Sequence, residues 1–321
     1  MAEIAKLPNP SSELMSAILI NLNDRAKFRV TGADRVRFLN GQLTNNILEL
    51  RSGSAIYACA LTGKGKLSAD LFVAATAAGN YLDTESILRE TLAARLEKYI
   101  IADDVILEDI SEDFGLFHLI DPNSPSAAAR ALATAASSKA TGRFLIESTR
   151  FGIEGIDLWF PANETEAVKE ELRLSPLDPA SAEDFRIERG IARWPNELSE
   201  NVIPQEAGLD TRAVSYTKGC YLGQEVVSRI KSIGHVNRHL CGLVSAEEAS
   251  LQVGDKLRSA QEPHKEVGNI TSVGWSSSNR RPIALGYVRR GFDTAGTTLQ
   301  VERNNTLIGP IKVCSLPFDS P

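Results

Sequence analysis

The chain of 321 residues is poor in cysteine, methionine and aromatic side chains. Its four cysteines are widely spaced and include no CxxC pair; they are Cys59, Cys220, Cys241 and Cys314. This spacing argues against a disulfide framework and against a zinc or iron–sulfur site held by the chain alone. With only 2 methionines, a Met-rich promiscuous groove is also excluded. We therefore expect a protein of a reducing compartment, without a resident metal.

Long apolar runs are absent as well. The longest one near the N-terminus, residues 14–22, is interrupted by Ser16 and Asn21 and is far too short to span a bilayer. No basic segment precedes it, so a signal peptide is not predicted. We expect a cytoplasmic protein without membrane association.

The chain also lacks an excess of positive charge, since 35 basic residues stand against 41 acidic ones and the formal net charge is -6. This balance gives no electrostatic reason to hold a polyanion, and we expect no direct nucleic-acid binding. The remaining composition, 43% hydrophobic and 24% charged, is typical of a globular chain that buries a sizeable core. The length predicts two domains or one large composite fold.

Residues 24–120 alternate between strand-like and helix-like patterns. The stretch 26–30 predicts a strand, and two apolar runs, 55–61 and 67–75, flank a glycine-containing loop of hairpin length. Leucines at helical spacing predict a helix over 86–100. Together these elements predict an α+β unit with an antiparallel sheet.

Residues 121–237 predict a second α+β unit. The Ala- and Ser-rich stretch 122–142 is either a linker or carries a small helix over 126–136, and its high alanine and low glycine content favours the helix. A strand pair is predicted over 144–160 and a further helix over 164–172.

From Arg238 onward the pattern changes to short β-rich segments separated by Gly, Asn or Asp turns, which is typical of a small barrel or sandwich. These segments are 239–245, 256–258, 267–275, 283–289, 297–302 and 306–313. We therefore place a domain boundary near residue 238, with an N-terminal domain over 1–237 and a C-terminal β-barrel domain over 238–321.

The densest chemical signal is the octapeptide Lys218-Gly219-Cys220-Tyr221-Leu222-Gly223-Gln224-Glu225. Two glycines four apart enclose a cysteine in an irregular loop, and the apolar residues that follow predict a helix that begins near Gln224. A cysteine close to a helix N-terminus and beside Lys218 lies where backbone dipoles and positive charge favour the thiolate. Cys220 is therefore either a reactive thiol or single cluster ligand, or a buried small residue in a turn.

Three further stretches contain candidate residues. Asp70 interrupts the second apolar run, where a carboxylate needs either solvent or a partner. By itself, the segment Phe185-Arg186-Ile187-Glu188-Arg189-Gly190 is typical of a charged helix face. The segment Thr149-Arg150-Phe151-Gly152-Ile153-Glu154-Gly155-Ile156-Asp157 is typical of a glycine-containing turn between strands.

In combination these stretches resemble the glycine-cleavage T-protein superfamily, and within it the YgfZ folate-binding family. The resemblance covers nearly the whole chain. It rests on the octapeptide, which is similar to the signature of the YgfZ branch and which T-proteins lack. Weaker similarities fall in the right order over 30–34, 38–45, 65–71, 186–190, 204–206, 267–272 and 284–288.

The resemblance implies three subdomains around a central cavity that binds tetrahydrofolate. Asp70 would lie near the folate nitrogens that carry the one-carbon unit. T-proteins usually have paired aspartates there, whereas Ala69 precedes Asp70 here. Asp157 falls where T-proteins usually have a glutamate that grips the pterin ring. Arg186 is expected to meet the anionic glutamate tail.

The octapeptide supplies the remaining candidates. We assign Cys220 and Lys218, together with Asp70, as the candidate catalytic residues. Further candidate folate-binding residues are Tyr221, Gln224 and Glu225.

The resemblance implies a tetrahydrofolate-binding accessory protein that supports the assembly or repair of iron–sulfur enzymes, with client or assembly proteins as partners. The alternative is a tetrahydrofolate-dependent enzyme, either an aminomethyltransferase or a demethylase of small N- or S-methyl compounds. The missing second carboxylate at Ala69 argues against the enzyme. A third possibility is a partner-binding scaffold whose cavity has lost its ligand.

Overall fold

The computed structural model describes residues 17–121, 127–138, 141–245, 250–262 and 264–318. Within them the strands are β1 Ile18–Asn21, β2 Ala26–Thr31, β3 Ala55–Leu61, β4 Leu67–Thr76, β5 Gly79–Thr84, β6 Ile106–Asp109, β7 Phe114–Ile120, β8 Phe144–Ser148, β9 Gly155–Pro161, β10 Arg238–Ser245, β11 Lys256–Ser259, β12 Glu266–Ser276, β13 Arg281–Arg289, β14 Thr298–Arg303 and β15 Thr306–Cys314. The helices are α1 Arg35–Gln42, α2 Arg89–Glu97, α3 Ala127–Ser137, α4 Thr165–Leu172, α5 Pro179–Glu188 and α6 Gln224–Ile233. Short 3₁₀ segments cover Ile47–Glu49, Ser86–Leu88, Ala162–Glu164, Pro204–Ala207 and Leu209–Thr211. None of the helices in these ranges is long and apolar enough to cross a membrane.

The first sheet has five antiparallel strands in the order β3-β4-β5-β2-β6. Its β3–β4 hairpin is the one that the two apolar runs predict, and the register sets Cys59 opposite Asp70. Because side chains alternate along a strand, Leu71 points into the core that Leu92 of α2 shares, and Asp70 points to the opposite face.

The second sheet has four antiparallel strands in the order β1-β7-β9-β8, and α3 and α4 pack on it. A parallel bridge between Ser54 and Glu147, with a 2.8 Å hydrogen bond from Glu147 N to Gly53 O, joins it to the first sheet. Along the chain, the first sheet ends at Asp109 and the second sheet continues from Phe114. The predicted division of the N-terminal domain at residue 120 remains a prediction.

Six strands close the C-terminal barrel in the order β10-β13-β12-β11-β14-β15. Each lies within two residues of a segment that the turn spacing predicts. Leu243, Leu257, Ile270 and Val313 belong to the apolar core of the barrel. Helix α5 packs against β12 and β13, which attaches the barrel to the N-terminal part. The predicted fold class, α+β with antiparallel sheets and a C-terminal barrel, is thus observed.

The helices agree with the sequence patterns except at their ends. The leucine spacing predicts a helix over 86–100, whereas α2 covers Arg89–Glu97 and a 3₁₀ turn precedes it. The leucine pattern extends into this turn because Leu88 is buried in the same core as Leu92. The helix predicted from residue 126 is observed as α3; Ser126 itself lies outside the described residues.

Replacing Leu71 by alanine tests the core that supports the first sheet. Leu71 is 0% exposed, so Leu71→Ala should lower the free energy of unfolding by about 2–5 kcal/mol. Leu307 on the barrel surface is 57% exposed, and Leu307→Ala should change that free energy by less than about 0.5 kcal/mol. Urea unfolding followed by circular dichroism measures both. Equal losses in the two variants would contradict this packing.

Candidate functional site

An inner cavity of about 80 Å³ lies between the first sheet and the segments that follow β8 and α5. Its aromatic and charged lining consists of Arg25, Tyr57, Asp70, Phe72, Glu85, Arg150, Phe151, Arg186, Arg193 and Arg212. An outer groove of about 440 Å³ adjoins the inner cavity. The two spaces share the side chains of Arg25, Glu85, Arg186 and Arg193, and together they form the candidate site.

Asp70 projects from the middle of β4 toward the inner cavity. It is buried, and its Oδ2 accepts a 2.7 Å hydrogen bond from the Tyr57 hydroxyl. Among the described residues, its Oδ1 has no hydrogen-bond partner. Burial raises the pKa of Asp70 to about 6, although Arg25 and the Tyr57 hydroxyl act in the opposite direction. A ligand that donates to Oδ1 would remove the cost of this unsatisfied buried oxygen.

Tyr57 and Phe72 form the aromatic wall of the inner cavity. They are directly opposite in the β3–β4 register, and their rings stack with centroids 4.8 Å apart. The Arg150 guanidinium lies over Phe72, 4.3 Å from the ring centroid, and the Arg212 guanidinium lies over Tyr57 at 5.7 Å. Cation–π contacts from both guanidinium groups hold the ring pair in place, with the Tyr57 hydroxyl directed at Asp70.

A buried ion network joins the two sheets beside the inner cavity. Arg150 donates two hydrogen bonds to Asp83 of β5, at 2.8 and 2.6 Å, and two to Asp157 of β9, both at 2.8 Å. Asp83 also pairs with Arg25. Since Arg150, Asp83 and Asp157 are buried, the network is favourable only because both carboxylates are held in two-point contact with the Arg150 guanidinium.

Both carboxylate oxygens of Asp157 are hydrogen-bonded within this network. Besides Arg150, the carboxylate accepts a 3.0 Å hydrogen bond from Ser148 Oγ and lies 2.7 Å from Nδ1 of His118, its direct neighbour across β7 and β9. Asp157 lines neither the inner cavity nor the outer groove. This placement argues against the contact to a pterin ring that the resemblance implies.

Arg186 lines both the inner cavity and the outer groove, where a glutamate tail is expected. Its guanidinium is already bound by Glu183, by Glu197 and by Ser272 of the barrel. Arg186 therefore connects α5 to the barrel, and any anionic ligand would have to share it with two carboxylates.

Lys218, one of the predicted catalytic residues, has its ammonium group bound within the fold. It is buried, and its Nζ donates to the carbonyl oxygens of Asn40, Leu43 and Asn45 at 2.5, 2.7 and 2.8 Å. These bonds use all three N–H groups of the ammonium, so none remains for Cys220. Burial lowers the pKa of Lys218 to about 8. Lys218 thus anchors the octapeptide to the segment that ends and follows α1.

The rest of the octapeptide surrounds an exposed thiol. Cys220 is exposed, so the alternative of a buried small residue is wrong. Gly223, with φ 87°, is the N-cap of α6, which begins at Gln224 as predicted. Tyr221 is buried in the core of the first unit and Glu225 is exposed on α6. None of Tyr221, Gln224 and Glu225 lines either space, so their placement does not support folate contacts.

Asn45 connects the octapeptide to the inner cavity. Lys218 binds its carbonyl oxygen, and its side-chain amide donates to the backbone carbonyls of Tyr57 at 2.8 Å and Arg212 at 3.4 Å. The loop that presents Cys220 and two residues of the cavity lining are therefore held by the same segment.

Tyr57, Arg150 and Arg212 are site residues that the sequence does not reveal. The alternation of the predicted hairpin could have placed Tyr57 on the face of Asp70. Arg150 lies in a stretch that is typical of a turn, and no local pattern indicates its buried partners. Arg212 comes from a loop, and only the tertiary fold brings it to Tyr57.

Two family models match the chain. A model of the GCVT N-terminal domain matches residues 14–160, and a model of the glycine cleavage T-protein C-terminal barrel domain matches residues 238–319. The second match covers the closed barrel. The chain belongs to the glycine cleavage T-protein superfamily.

Similar proteins divide between two kinds. The "Iron-sulfur cluster assembly factor IBA57 homolog, mitochondrial" of Dictyostelium discoideum is 25% identical over 289 residues, covering 80% of this chain and 70% of that protein. An aminomethyltransferase of Saccharopolyspora erythraea is 25% identical over 323 residues, covering 94% of this chain and 87% of that protein. Other relatives include an aminomethyltransferase of Nitrosomonas eutropha, 26% identical, and the tRNA-modifying protein YgfZ of Yersinia pestis, 27% identical. At about the same identity, these similarities favour neither an iron–sulfur cluster assembly factor nor an aminomethyltransferase.

The crystal structure of the glycine cleavage system aminomethyltransferase T from Bartonella henselae matches this fold with a TM-score of 0.82. The match covers 97% of this chain and 90% of that one, at 22% sequence identity. It confirms the predicted T-protein-like fold.

The raised pKa of Asp70 predicts a pH-dependent stability. Folded, Asp70 keeps its proton up to about pH 6, whereas the unfolded chain releases it near the ordinary value of 3.8. Its contribution to stability is therefore present at low pH and lost as the pH rises through about 6. The asparagine of Asp70→Asn cannot ionise. Between about pH 4 and 7, the free energy of unfolding of this variant should therefore rise relative to that of the wild type by up to about 3 kcal/mol. Urea unfolding at a series of pH values measures this difference.

Asp157→Asn is the contrasting variant. Burial alone would raise the pKa of Asp157, but Arg150 and His118 hold it well below its ordinary range. Its ionised form thus stabilises the folded state at neutral pH, where Asp157→Asn should lower the free energy of unfolding by about 3–5 kcal/mol.

The contradicting outcome for Asp70 is a difference in the free energy of unfolding between Asp70→Asn and the wild type that does not change with pH.

Proposed function

We propose that this member of the glycine cleavage T-protein superfamily is a tetrahydrofolate-binding accessory protein that supports the assembly or repair of iron–sulfur enzymes. One observation carries the proposal. A cavity with an unpartnered carboxylate oxygen and a loop with an exposed cysteine are held by the same segment around Asn45.

The polar groups of the candidate site fit a reduced folate. A pterin ring presents adjacent N–H donors, and Oδ1 of Asp70 is a buried acceptor without a partner in the described residues. Tyr57 and Phe72 offer an aromatic wall, and the arginines shared by the two spaces suit the carboxylates of a glutamate tail. The inner cavity is smaller than the roughly 300–1,000 Å³ of typical ligand sites, so a folate would extend into the outer groove.

Tetrahydrofolate would supply a carrier for a one-carbon unit. The contribution of the chain is to hold it: Asp70 accepts a hydrogen bond, and the buried surroundings of Asp70 exclude water from that contact.

The second part of the proposal assigns Cys220 as the thiol that acts on partners. It is exposed, and the three hydrogen bonds of Lys218 fix the loop that carries it. One cysteine cannot hold a cluster alone, so any contact with a cluster needs ligands from a client protein, an assembly protein or a small thiol. The similarity to an iron–sulfur cluster assembly factor supports this reading.

The alternative is a tetrahydrofolate-dependent aminomethyltransferase, or a demethylase of small N- or S-methyl compounds. The aminomethyltransferase relatives support it. Ala69 does not weigh against it as the sequence suggests, because its side chain is buried in the core on the face of β4 opposite to Asp70. The alanine therefore removes no carboxylate from the inner cavity. Turnover of tetrahydrofolate with an aminomethyl donor would establish the enzyme.

The composition bears on the cellular compartment and on the partners that we propose. The spacing of the cysteines and a net charge of -6 favour a reducing compartment, the cytoplasm, and no direct contact with nucleic acid.

Anaerobic calorimetric titration of the full chain tests folate binding. The wild type should bind one equivalent of tetrahydrofolate, and Asp70→Ala should weaken the affinity at least about tenfold because the buried acceptor is lost. Asp293 lies in the barrel, paired with His239 and outside both spaces, so Asp293→Ala should bind like the wild type. Unchanged affinity in Asp70→Ala would remove the role of Asp70. No binding by the wild type at two temperatures would remove the folate proposal.

Complementation tests the role of Cys220. In a strain that lacks the protein, Cys220→Ser should fail to restore iron–sulfur enzyme activity. It should still bind tetrahydrofolate like the wild type, because Cys220 lies outside both spaces. The control is Cys314→Ser, which changes a partly exposed cysteine of the barrel and should restore activity. Full restoration by Cys220→Ser would refute the assignment.

A further inference from the structure

The C-terminal end of α6 lies in a surface rich in positive charge. This basic patch consists of the exposed residues Arg229, Lys231, Ile233, His235, Arg289 and Arg290. We propose that the basic patch is the docking surface for an acidic protein partner and that it brings this partner to the Cys220 thiol. The docking does not depend on folate, whereas the delivery to Cys220 rests on the role proposed for that thiol.

Two stretches of the chain that lack acidic residues build the basic patch. The net charge of the chain is -6, yet neither 226–246 nor 267–292 contains an aspartate or a glutamate. The first stretch includes most of α6 and all of β10, and the second includes β13. Positive charge that is gathered in one region of an acidic chain indicates an interaction surface.

The fold brings the two stretches together. Strands β10 and β13 pair antiparallel with Arg238 directly opposite Arg289, and Arg290 N donates a 2.9 Å hydrogen bond to Asn237 O. Ile233, the last residue of α6, is four residues before Asn237, which is at most about 14 Å of chain. Like charges directly opposite each other in a sheet lower stability, and carboxylates of a partner would offset this cost.

The acidic residues around the basic patch bind cations at its margin. Glu206 pairs with Arg238 at 3.2 Å, and Asp293 pairs with His239. Glu225 is exposed on α6 one turn before Arg229 but forms no salt bridge with it within the described part of the chain. The four cations of the patch form no salt bridge with any described carboxylate; they are Arg229, Lys231, Arg289 and Arg290. Their charge is therefore available to a partner.

Ile233 favours a protein as the partner over a nucleic acid. Its side chain is 84% exposed among the cations of the basic patch. An apolar centre within a charged rim is typical of protein interfaces, whereas nucleic-acid binding rests largely on phosphate contacts. The net charge of -6 also opposes a long polyanion. The complementary surface is therefore that of a protein with carboxylates around an apolar side chain.

Cys220 lies near the other end of the same helix. Helix α6 begins four residues after Cys220, and its 10 residues are about 15 Å long. Lys231 Nζ lies 5.1 Å from the centroid of the Tyr216 ring, in the loop that leads into the octapeptide. A protein interface of standard size buries about 800 Å² on each partner, which is wide enough to cover the basic patch and the thiol together. A docked partner would thus hold its own groups beside Cys220.

Fluorescence anisotropy with the full chain tests the docking. The probe is a labelled helical peptide with glutamates on both sides of a row of leucines, and a second peptide has lysines in place of the glutamates. The wild type should bind the acidic peptide at least about tenfold more tightly, and added salt should reduce this preference. A variant that combines Arg289→Glu with Arg290→Glu should bind the acidic peptide at least about tenfold more weakly.

The matched control combines Arg280→Glu with Arg281→Glu. It makes the same change of charge at two exposed arginines near the other end of β13, about 27 Å away. It should bind the acidic peptide like the wild type, and thermal unfolding shows whether each variant is folded. Equal losses in the two double variants would overturn the proposal, as would a wild type without preference for the acidic peptide.

A labelled poly(U) RNA separates a protein partner from a nucleic acid. Ile233→Ser should weaken the binding of the acidic peptide at least about fivefold, because the apolar contact is lost. An unchanged affinity of this variant for the acidic peptide would contradict the assigned partner. If the wild type binds the RNA more tightly than the acidic peptide, and Arg289→Glu with Arg290→Glu abolishes this binding, the basic patch is a nucleic-acid site and the proposal is overturned.

Thiol–disulfide exchange tests the delivery to Cys220. Each peptide carries one cysteine as a mixed disulfide with thionitrobenzoate. The Cys220 thiolate attacks the sulfur of the peptide cysteine, a disulfide forms between protein and peptide, and thionitrobenzoate leaves with the electron pair of the broken bond. At low salt the wild type should react at least about tenfold faster with the acidic peptide than with the lysine peptide. The variant with Arg289→Glu and Arg290→Glu should lose this preference, and Cys220→Ser measures the background from the other cysteines.

Equal exchange rates for the two peptides in the wild type would overturn the delivery to Cys220. Neither the anisotropy nor the exchange measurement needs folate or an iron–sulfur cluster. Failure of the docking surface is therefore distinguished from failure of the proposed function, which calorimetry with tetrahydrofolate and complementation measure.

Discussion

The guanidinium of Arg150, held between Asp83 of the first sheet and Asp157 of the second, is the interaction on which the candidate site depends. All three groups have lost water, so the arrangement is stable only as a complete set, and removing one partner leaves an uncompensated buried charge. The same guanidinium lies over Phe72, which stacks on Tyr57, which in turn donates to Asp70. The contacts that join the two sheets therefore also fix the orientation of the Asp70 carboxylate in the inner cavity.

A second anchor of the same type holds the octapeptide. The ammonium of Lys218 is used entirely by backbone carbonyls, which is a structural use of a charged group that the sequence places next to a reactive cysteine. The Lys218 bonds hold the loop so that the Cys220 thiol lies on the surface, whereas the inner cavity lies inside the protein. Cys220 is available to a protein partner, whereas Asp70 is available only to a ligand small enough to enter.

Asp70 is buried and Arg212 is partly buried, and neither forms a salt bridge in the described residues. Arg25, Arg150 and Arg186 are compensated by carboxylates and stabilise the fold. An uncompensated buried charge lowers stability, and this cost is characteristic of sites whose compensation comes from a ligand. The difference between compensated and uncompensated groups therefore separates the scaffold from the binding site more clearly than residue type does.

The sequence by itself determined the α+β class, the β3–β4 hairpin, the barrel strands, the start of α6 and the superfamily, because periodicity, turn residues and motifs are local properties of the chain. Only the tertiary structure decided which charged residues are free. Asp157 and Lys218 carry the right chemistry for a site, but their polar groups are bound within the fold. Asp157 is bound by a cross-strand histidine and by an arginine from a turn. Lys218 is bound by three backbone carbonyls in and just after the last turn of α1. Arg212, which no local pattern marks, is left without a carboxylate. Compensation of a buried charge depends on partners that are distant in the sequence, and it is set only when the sheets and loops pack.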